Sequence, residues 1–176
     1  MDWKKFKQRS EKKFRKIPLY FNCYGFQIQP GTKWNPGLNE FEIKSLEELF
    51  GFTFPDDYKS MLLTINGFDR DGISIDPDGE IEDEFERIIY IYPQDYERTK
   101  WLTEEIFEFI NYTKEPLSKA GFDTNQIVGF VPLYGHRALV VFQDTSLSPV
   151  VSVHQGTDVI VYGNSLLEYW EKEFEL

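Results

Sequence analysis

Apolar residues between positions 39 and 67 recur at spacings of three and four and predict two short helices. Asn39 is expected to cap the first helix, with Glu42 as its capping-box partner. Gly51 is expected to end this helix, because glycine adopts the left-handed conformation without strain. Pro55 is predicted at the first position of the second helix, where its missing N–H costs nothing. The buried face of the first helix is expected to contain Ile43, Leu46, Leu49 and Phe50, and that of the second helix Tyr58, Met61, Leu62 and Ile65. Asn66 and Gly67 are expected to close the second helix.

Residues 2–16 are predicted to form an amphipathic helix with a basic polar side. Its apolar face consists of Trp3, Phe6, Ser10, Phe14 and Ile17. Such a helix can lie on a membrane or on nucleic acid, but we favour packing of the apolar face against an acidic body. Residues 19–38 are predicted to hold a short strand around Tyr24–Gln29, followed by turns. Trp34, between these turns, is either a loop anchor or an exposed contact.

The most acidic segment, Phe68–Glu86, contains a sequence that resembles a calcium-binding loop but does not fit one. With Gly79 at the sixth position of an EF-hand, Ser74 would occupy the first and Phe85 the twelfth, where carboxylates are needed. We therefore expect no metal site, and we interpret the segment as a hairpin beside a strand at Gly72–Ile75. The carboxylates that we regard as candidate partner contacts are Asp76, Asp78, Glu80, Glu82, Asp83 and Glu84.

The second half of the chain is predicted to contain both strands and helices. Arg87–Tyr92 is rich in β-branched and aromatic residues, which is typical of a buried strand. A helix is expected over Gln94–Asn111, followed by a connection over 114–125. The last helix is expected to begin near Ser165, with Glu168 as its capping-box partner. Four more strands are predicted at Ile127–Pro132, Ala138–Gln143, Val150–His154 and Val159–Tyr162.

The order of residues in the two-helix segment carries further information. The residues concerned are Ile43, Leu46, Glu47, Gly51, Phe52, Phe54, Pro55, Asp57, Tyr58, Lys59, Leu62, Asn66 and Gly67. In this order they resemble the opening motif of the SUKH superfamily, which includes fungal glucan-synthesis regulators and many bacterial immunity proteins. Phe54 stands where a leucine or isoleucine is more usual. Most of these residues determine the fold, so the resemblance implies a fold more directly than a function.

A second pattern lies in the C-terminal third of the chain. Its residues are Pro132, Tyr134, His136, Arg137, Pro149, Val150, Ser152, Val153, Thr157, Asp158, Ile160, Tyr162, Gly163, Glu173 and Phe174. They resemble the tail of a bacterial subgroup of the same superfamily, with Ala138 where a tyrosine is common. Together the two motifs span residues 43–174. We therefore expect a domain over residues 39–176, preceded by an N-terminal extension over residues 1–38.

The formal net charge of −11 is unevenly distributed. Residues 1–16 carry eight basic and two acidic side chains, or +6, which leaves −17 on the remainder. A body this acidic argues against nucleic-acid binding, and it favours either a basic protein partner or simple solubility. No apolar run approaches the roughly 20 residues of a membrane span. Because the lone Cys23 also fits a reducing compartment, we expect a cytoplasmic protein.

His136, Arg137 and Asp158 are the residues best suited to acid–base or phosphate chemistry. The sequence contains no nucleophile elbow, phosphate-binding glycine loop or His-x-x-x-His pair to support such chemistry. We therefore favour an Arg137–Asp158 ion pair at the sheet edge, with His136 hydrogen-bonded beside it, and we expect no cofactor. The candidate partner contacts outside the acidic segment are Trp34, Tyr134, His136, Arg137, Asp158 and Tyr162.

These patterns predict a single α+β domain, with a mixed, mostly antiparallel sheet of about six strands and helices packed around it. The resemblance implies a non-enzymatic protein-binding module, and most specifically an immunity-type protein that neutralises a toxin by direct binding. One alternative is a regulatory scaffold of the fungal type. Another is a small-ligand-binding domain that uses His136, Arg137 and Asp158.

Overall fold

The computed structural model describes residues 2–20, 25–75, 78, 80–108, 110–154 and 158–176, with the backbone alone at 25, 82–85, 105, 107, 108, 110, 154 and 158. The helices within these residues are α1 (Trp3–Phe14), α2 (Glu40–Phe50), α3 (Asp56–Leu62), α4 (Tyr96–Glu108), α5 (Ile110–Lys119) and α6 (Leu166–Glu173). The strands are β1 (Gly25–Gln27), β2 (Trp34–Pro36), β3 (Ile65–Phe68), β4 (Gly72–Ile75), β5 (Ile81–Glu86), β6 (Ile127–Tyr134), β7 (Arg137–Phe142), β8 (Val150–His154) and β9 (Asp158–Gly163). The predicted α+β class is confirmed.

The first helix, α1, packs its apolar face into the main core, as the favoured interpretation of residues 2–16 expects. The side chain of Asp2 caps α1 by accepting a hydrogen bond from the Lys5 amide at 3.0 Å. Phe14 is buried, and its ring centroid lies 5.3 Å from that of Phe68 and 5.1 Å from that of Phe174. Because α1 contacts residues from both the first and the last parts of the chain, it forms one wall of the core.

The helix α2 begins and ends as its sequence predicts. The Asn39 side chain accepts a hydrogen bond from the Glu42 amide at 3.0 Å, and Glu42 accepts one from the Asn39 amide at 2.8 Å, which completes the capping box. Gly51 then takes a left-handed conformation with φ of 81°. Pro55 is the N-cap of α3 rather than its first helical residue, so the predicted helix start is displaced by one position.

The second helix of this pair is shorter than predicted, and this part of the sequence analysis is wrong. Helix α3 ends at Leu62, and Ile65, Asn66 and Gly67 belong to β3. The Asn66 side chain donates to the Tyr92 carbonyl at 2.6 Å and accepts from the Tyr92 amide at 3.1 Å. These two hydrogen bonds join β3 to a distant segment, while the backbone of β3 pairs with β2 in place of the helical bonds that the sequence pattern suggested.

The strands form three antiparallel sheets instead of the single sheet of about six strands that we predicted. The strand orders are β1-β4-β5, β2-β3 and β6-β7-β8-β9. Pairing of β4 with β5 confirms the hairpin expected beside Gly72–Ile75. The prediction placed a strand where β1 lies but missed β2 and β3. Strand β2 has only three residues, too few to show a twofold apolar pattern, and β3 was assigned to the end of the second helix.

The segment Arg87–Tyr92 is not a regular strand, although most of its apolar side chains are buried. Its only β contact among the described residues is the isolated bridge between Ile89 and Tyr134. The amide of Ile91 donates instead to the Asp95 side chain at 2.7 Å, and the amide of Tyr92 donates to Asn66. Because side chains satisfy these amides, the apolar sequence does not require a partner strand here.

The connection predicted over 114–125 is largely helical. Helix α5 continues to Lys119 with Pro116 in its interior. Thr113 and Leu117 are fully buried and hold α5 against the rest of the protein. Tertiary packing therefore outweighs the cost of proline within a helix.

Strands β6 and β7 of the four-stranded sheet are buried on both faces over most of their length. Alternate side chains of β6 and β7 enter two different apolar clusters, which is the consequence of the twofold repeat of a strand. One cluster joins Val131 and Leu139 to α1, α3 and α6, and the other joins Phe130 and Val140 to α4 and α5. The β6–β7 turn and the last turn of α6 lie at the edge of this layered core, where the candidate site is found.

Candidate partner-binding surface

Arg137, the first residue of β7, is enclosed by two tyrosines and a glutamate. Its guanidinium carbon lies 5.2 Å from the ring centroid of Tyr134 and 4.7 Å from that of Tyr162. Its Nε lies 3.3 Å from Oε2 of Glu173 in α6. Arg137 is therefore paired with Glu173. The predicted pair with Asp158 stays a prediction, because the Asp158 side chain lies outside the described part of the chain.

The electrostatics of this ion pair reflect its burial. Burial raises the pKa of Glu173, although the charges of Arg137 and Lys172 act in the opposite direction. Burial also disfavours the charge of Arg137, but Glu173 and a hydrogen bond with Tyr162 outweigh it and raise the pKa of the guanidinium group. Only 16% of the Arg137 side chain is exposed. This arginine is thus mainly a tie between the four-stranded sheet and α6.

His136 lies beside Arg137, as the sequence analysis expects. The His136 Nε2 atom is 3.3 Å from Nη1 of Arg137, and the imidazole is half-buried. Tyr134 is also half-buried, and burial raises the pKa of its hydroxyl. Tyr162 of β9 is half-buried as well, and the ammonium group of Lys172, on α6, lies 4.4 Å from its ring centroid. Apolar rings and cations therefore alternate along this edge.

A cleft of about 210 Å³ connects this edge to the acidic hairpin. Glu86, at the end of β5, lines the cleft together with Tyr90, Tyr134 and His136. The Tyr90 hydroxyl donates to the Gly135 carbonyl at 3.3 Å and thereby holds the two sides together. The structure therefore brings the end of the acidic strand and the β6–β7 turn, two candidate regions far apart in sequence, to one cleft.

The acidic hairpin is described only in part. Asp78 and Glu80 are exposed, and Glu86 is exposed and forms an ion pair with Arg98 at 2.7 Å. Asp76 lies outside the described residues, as do the side chains of Glu82, Asp83 and Glu84. The backbone of these last three residues belongs to β5.

The prediction that Trp34 contacts a partner is wrong. Only 3% of its surface is exposed, and its Nε1 donates to Oγ of Ser10 at 2.8 Å. Its ring centroid is 4.5 Å from that of Phe68. Of the two interpretations that the sequence left open, the structure confirms the loop anchor.

Glu173, which holds Arg137, received no role from sequence reasoning. A signal for it was present, because Glu173 follows the buried Trp170 by three residues and therefore lies near the buried face of α6. A carboxylate in such a position requires a cationic partner. Tyr90 and Glu86 were also missed as cleft residues, because only the tertiary fold brings them to the β6–β7 turn.

Two properties of the described residues bear on the class of protein. They contain no group of three or more His, Cys, Asp or Glu side chains placed to hold a metal ion. None of the helices that the structure describes is both long enough and apolar enough to cross a membrane.

Comparison with known proteins confirms the superfamily that the motif in the two-helix segment predicts. A search among curated proteins found no match. The model of one protein family matches residues 37–171, which is well over half of the chain and includes α2, the hairpin and the β6–β7 turn. That family is the SMI1 / KNR4 family (SUKH-1), and the chain therefore belongs to it.

Proposed function

We propose that this protein is an immunity-type member of its family, of the bacterial subgroup, that binds a basic toxin domain directly in the cytoplasm and neutralises it without catalysing a reaction. The observation that carries this proposal is the position of the acidic hairpin beside a cleft lined by Tyr134 and His136. The hairpin supplies charge, and the cleft supplies aromatic contact area. Protein interfaces commonly combine a charged rim with a few partly buried aromatic residues.

The charge of the protein supports a basic partner. Toxins countered by proteins of this kind include nucleases, whose clefts are positively charged because they hold phosphates. The exposed carboxylates of Asp78 and Glu80 present negative charge of the kind that such a cleft binds. Charge complementarity of this type mainly accelerates association, so its effect falls as salt screens the charges.

Two alternatives make different predictions. A regulatory scaffold of the fungal type would bind a partner without dependence on the hairpin charges. A small-ligand-binding domain would use the cleft beside His136 and Arg137. The cleft volume of about 210 Å³ is below the roughly 300–1,000 Å³ that is usual for ligand pockets, and Arg137 is already paired with Glu173. Both observations favour a protein partner over a small ligand.

The test is the association rate with the toxin domain encoded beside this protein, measured by stopped-flow fluorescence. Rates are compared at about 0.01 M and about 0.15 M ionic strength, where the Debye length is roughly 30 Å and 8 Å. We expect the rate to fall at least about tenfold between these conditions. We also expect the triple variant Glu82→Gln, Asp83→Asn and Glu84→Gln to associate several times more slowly at low salt.

The matched control is a second triple variant, in which the exposed glutamates Glu40, Glu48 and Glu115 become glutamine. It removes the same total charge from helices α2 and α5, outside the hairpin, so its rate should remain near that of the unmodified protein. A rate that is insensitive to salt and equal in both triple variants would reject the acidic surface as the toxin contact. If the protein also binds the partner with the same affinity at both ionic strengths and in both triple variants, the scaffold alternative is favoured.

A further inference from the structure

A cavity of about 820 Å³ opens beside the last turn of α1, next to the residues that follow α6. This volume is within the roughly 300–1,000 Å³ that is usual for small-molecule sites, unlike that of the cleft beside His136. One of the residues that line it, Tyr20, is 55% exposed. Its wall includes apolar side chains that the core leaves half-buried or exposed, namely Ile17, Pro18, Tyr20, Ile28 and Leu176. The cavity therefore offers apolar contact area to a molecule that enters it.

Hydrogen bonds hold the walls of this cavity in place. The Gln27 side chain accepts a hydrogen bond from the Tyr20 amide and donates one to the Tyr20 carbonyl, both at 2.8 Å. These two bonds fix the segment after α1 beside β1. Lys13, which also lines the cavity, donates to the Phe174 carbonyl at 2.7 Å and thereby joins α1 to the end of α6. Because the walls are positioned in advance, binding of a ligand requires little further ordering of the protein.

Two cationic side chains at this cavity are available to a ligand. Lys12 and Lys16 line it and are exposed, and neither side chain forms an ion pair or a hydrogen bond with any residue that the structure describes. The other charged side chains described in the wall already form ion pairs, and these pairs are Arg9–Glu171, Lys13–Glu175 and Glu173–Arg137. An anionic group beside Lys12 and Lys16 therefore gains two cationic partners without breaking an existing pair.

The apolar wall and the two lysines together indicate the chemistry of the ligand. The phosphates of a nucleic acid would satisfy the lysines but leave the apolar wall exposed to water. A neutral apolar molecule would cover the wall but make no use of the lysines. A single hydrocarbon chain with an anionic head group satisfies both, because it combines apolar contact with a charge that lysine binds.

We propose that this cavity binds the anion of a long-chain fatty acid. The hydrocarbon chain lies against Ile17, Ile28 and Leu176, and the carboxylate lies beside Lys12 and Lys16. None of the described residues of this wall belongs to the acidic hairpin, so the site is additional to the proposed toxin contact.

The first test is isothermal titration calorimetry of the full-length protein with the sodium salts of hexanoic, octanoic, decanoic and dodecanoic acids. Each salt is used below the concentration at which it forms micelles. We expect a single molecule to bind per protein. The affinity should rise about fourfold for each added methylene, because burial of a methylene contributes about 0.8 kcal/mol.

The second test removes the two lysines in the double variant Lys12→Gln and Lys16→Gln. We expect it to bind dodecanoate about fivefold more weakly, because the carboxylate loses two cationic partners. The matched control is Lys4→Gln with Lys5→Gln, which removes the same charge from exposed positions of α1 that do not line the cavity. All four lysines are exposed, so both double variants should keep the melting temperature of the unmodified protein.

The third test shortens the apolar wall by Tyr20→Ser. Tyr20 bonds to Gln27 through its backbone, so this variant keeps both hydrogen bonds that position the wall. We expect dodecanoate to bind at least about threefold more weakly, because apolar contact area is lost. Its control is Tyr112→Ser in α5, where a tyrosine that is 53% exposed lies outside the cavity wall.

Three results would overturn the fatty-acid site. The first is an affinity that does not rise with chain length, and the second is equal binding of dodecanoate by the two lysine double variants. The third is sedimentation of the protein with phosphatidylglycerol vesicles in the absence of dodecanoate binding, which would assign Lys12 and Lys16 to a membrane surface. Each of these results leaves the association with the toxin domain standing, because neither the toxin nor the acidic hairpin takes part in the measurement.

Discussion

At the scale of single residues, Gly51 is a position where backbone conformation alone determines the cost of a substitution. Its φ of 81° lies in the left-handed region, and a Cβ atom built there would have no neighbour within 4 Å. We expect Gly51→Val to lower the free energy of unfolding by about 1–2 kcal/mol, as measured by urea denaturation. Gly51→Asn should cost less, because asparagine tolerates this conformation better.

An unchanged urea midpoint for Gly51→Val would show that α2 does not need a left-handed residue at its end. Equal losses in the valine and asparagine variants would point to a cause other than backbone conformation. The residue was correctly identified from sequence because its role depends on its near neighbours in the chain. The same is true of Asn39 and Ser165, whose side chains cap α2 and α6.

Long-range partners of single residues were harder to predict. Trp34 is buried because it meets Ser10 and Phe68, and Arg137 is paired because α6 brings Glu173 beside it. These contacts depend on how helices and sheets pack, and a local pattern contains little information about packing. The expected contact between His136 and Arg137 is present, whereas Glu173 was not foreseen as a partner of Arg137.

At the scale of elements, α1 stabilises the fold through its aromatic face. Phe14 is 1% exposed and contacts the rings of Trp34, Phe68 and Phe174. We expect Phe14→Ala to lower the free energy of unfolding by about 3–5 kcal/mol, the usual cost of removing a buried phenyl ring. Thermal and urea denaturation both measure this loss.

The matched control for α1 is Phe41→Ala in α2, where the ring is 83% exposed. The same atoms are removed there without opening a cavity, so stability should change little. If Phe14→Ala proves as stable as Phe41→Ala, then α1 does not contribute to the core. The helix would then be explained by the alternative in the sequence analysis, contact with a membrane or with nucleic acid.

Elements were predicted well where they are long and regular, and poorly where tertiary contacts determine them. The bounds of β8 agree with the prediction, and those of β7 and β9 differ by one residue at each end. Helix α5 was missed because Pro116 suggested a connection, and the burial of Leu117 was not visible in the sequence. The irregular segment Arg87–Tyr92 was taken for a strand because the hydrogen bonds that its amides donate to the side chains of Asn66 and Asp95 could not be foreseen.

At the scale of the whole molecule, Asp57 lies where three distant parts of the chain meet. Its carboxylate accepts a hydrogen bond from Nε1 of Trp3 at 3.2 Å and another from Oγ of Ser148 at 3.3 Å. Ser148 in turn accepts a hydrogen bond from the amide of Leu166, the first residue of α6. Burial raises the pKa of Asp57, although both of its hydrogen bonds act in the opposite direction.

A raised pKa in the folded state predicts how stability responds to pH at this junction. The folded protein holds the Asp57 proton more tightly than the unfolded chain, whose aspartate pKa is about 3.9. The corresponding stability is present below that value and is lost as pH rises through the folded-state pKa. We therefore expect Asp57→Asn to become more stable relative to the unmodified protein as pH rises from about 4 towards 7.

Urea denaturation across this pH range measures the difference between the two proteins. The control is Asp56→Asn, which makes the same chemical change on the same helix at a side chain that is 67% exposed. Asp56→Asn should show no comparable gain with pH. A stability difference for Asp57→Asn that is flat across the range, or that falls as pH rises, would mean that burial of this carboxylate does not control the pH response.

Contact between α1 and α6 has a consequence for how the chain acquires its structure. Arg9 and Glu171 pair at 2.7 Å across 162 positions of sequence, and Lys13 donates to the Phe174 carbonyl at 2.7 Å. Contacts so distant in sequence form late, because the chain between them must be ordered first. During synthesis, the part of the aromatic face of α1 that contacts Phe174 therefore stays uncovered until α6 has been made. Surfaces of this kind attract chaperones and promote aggregation. The helix that is synthesised first is thus among the last to complete its packing.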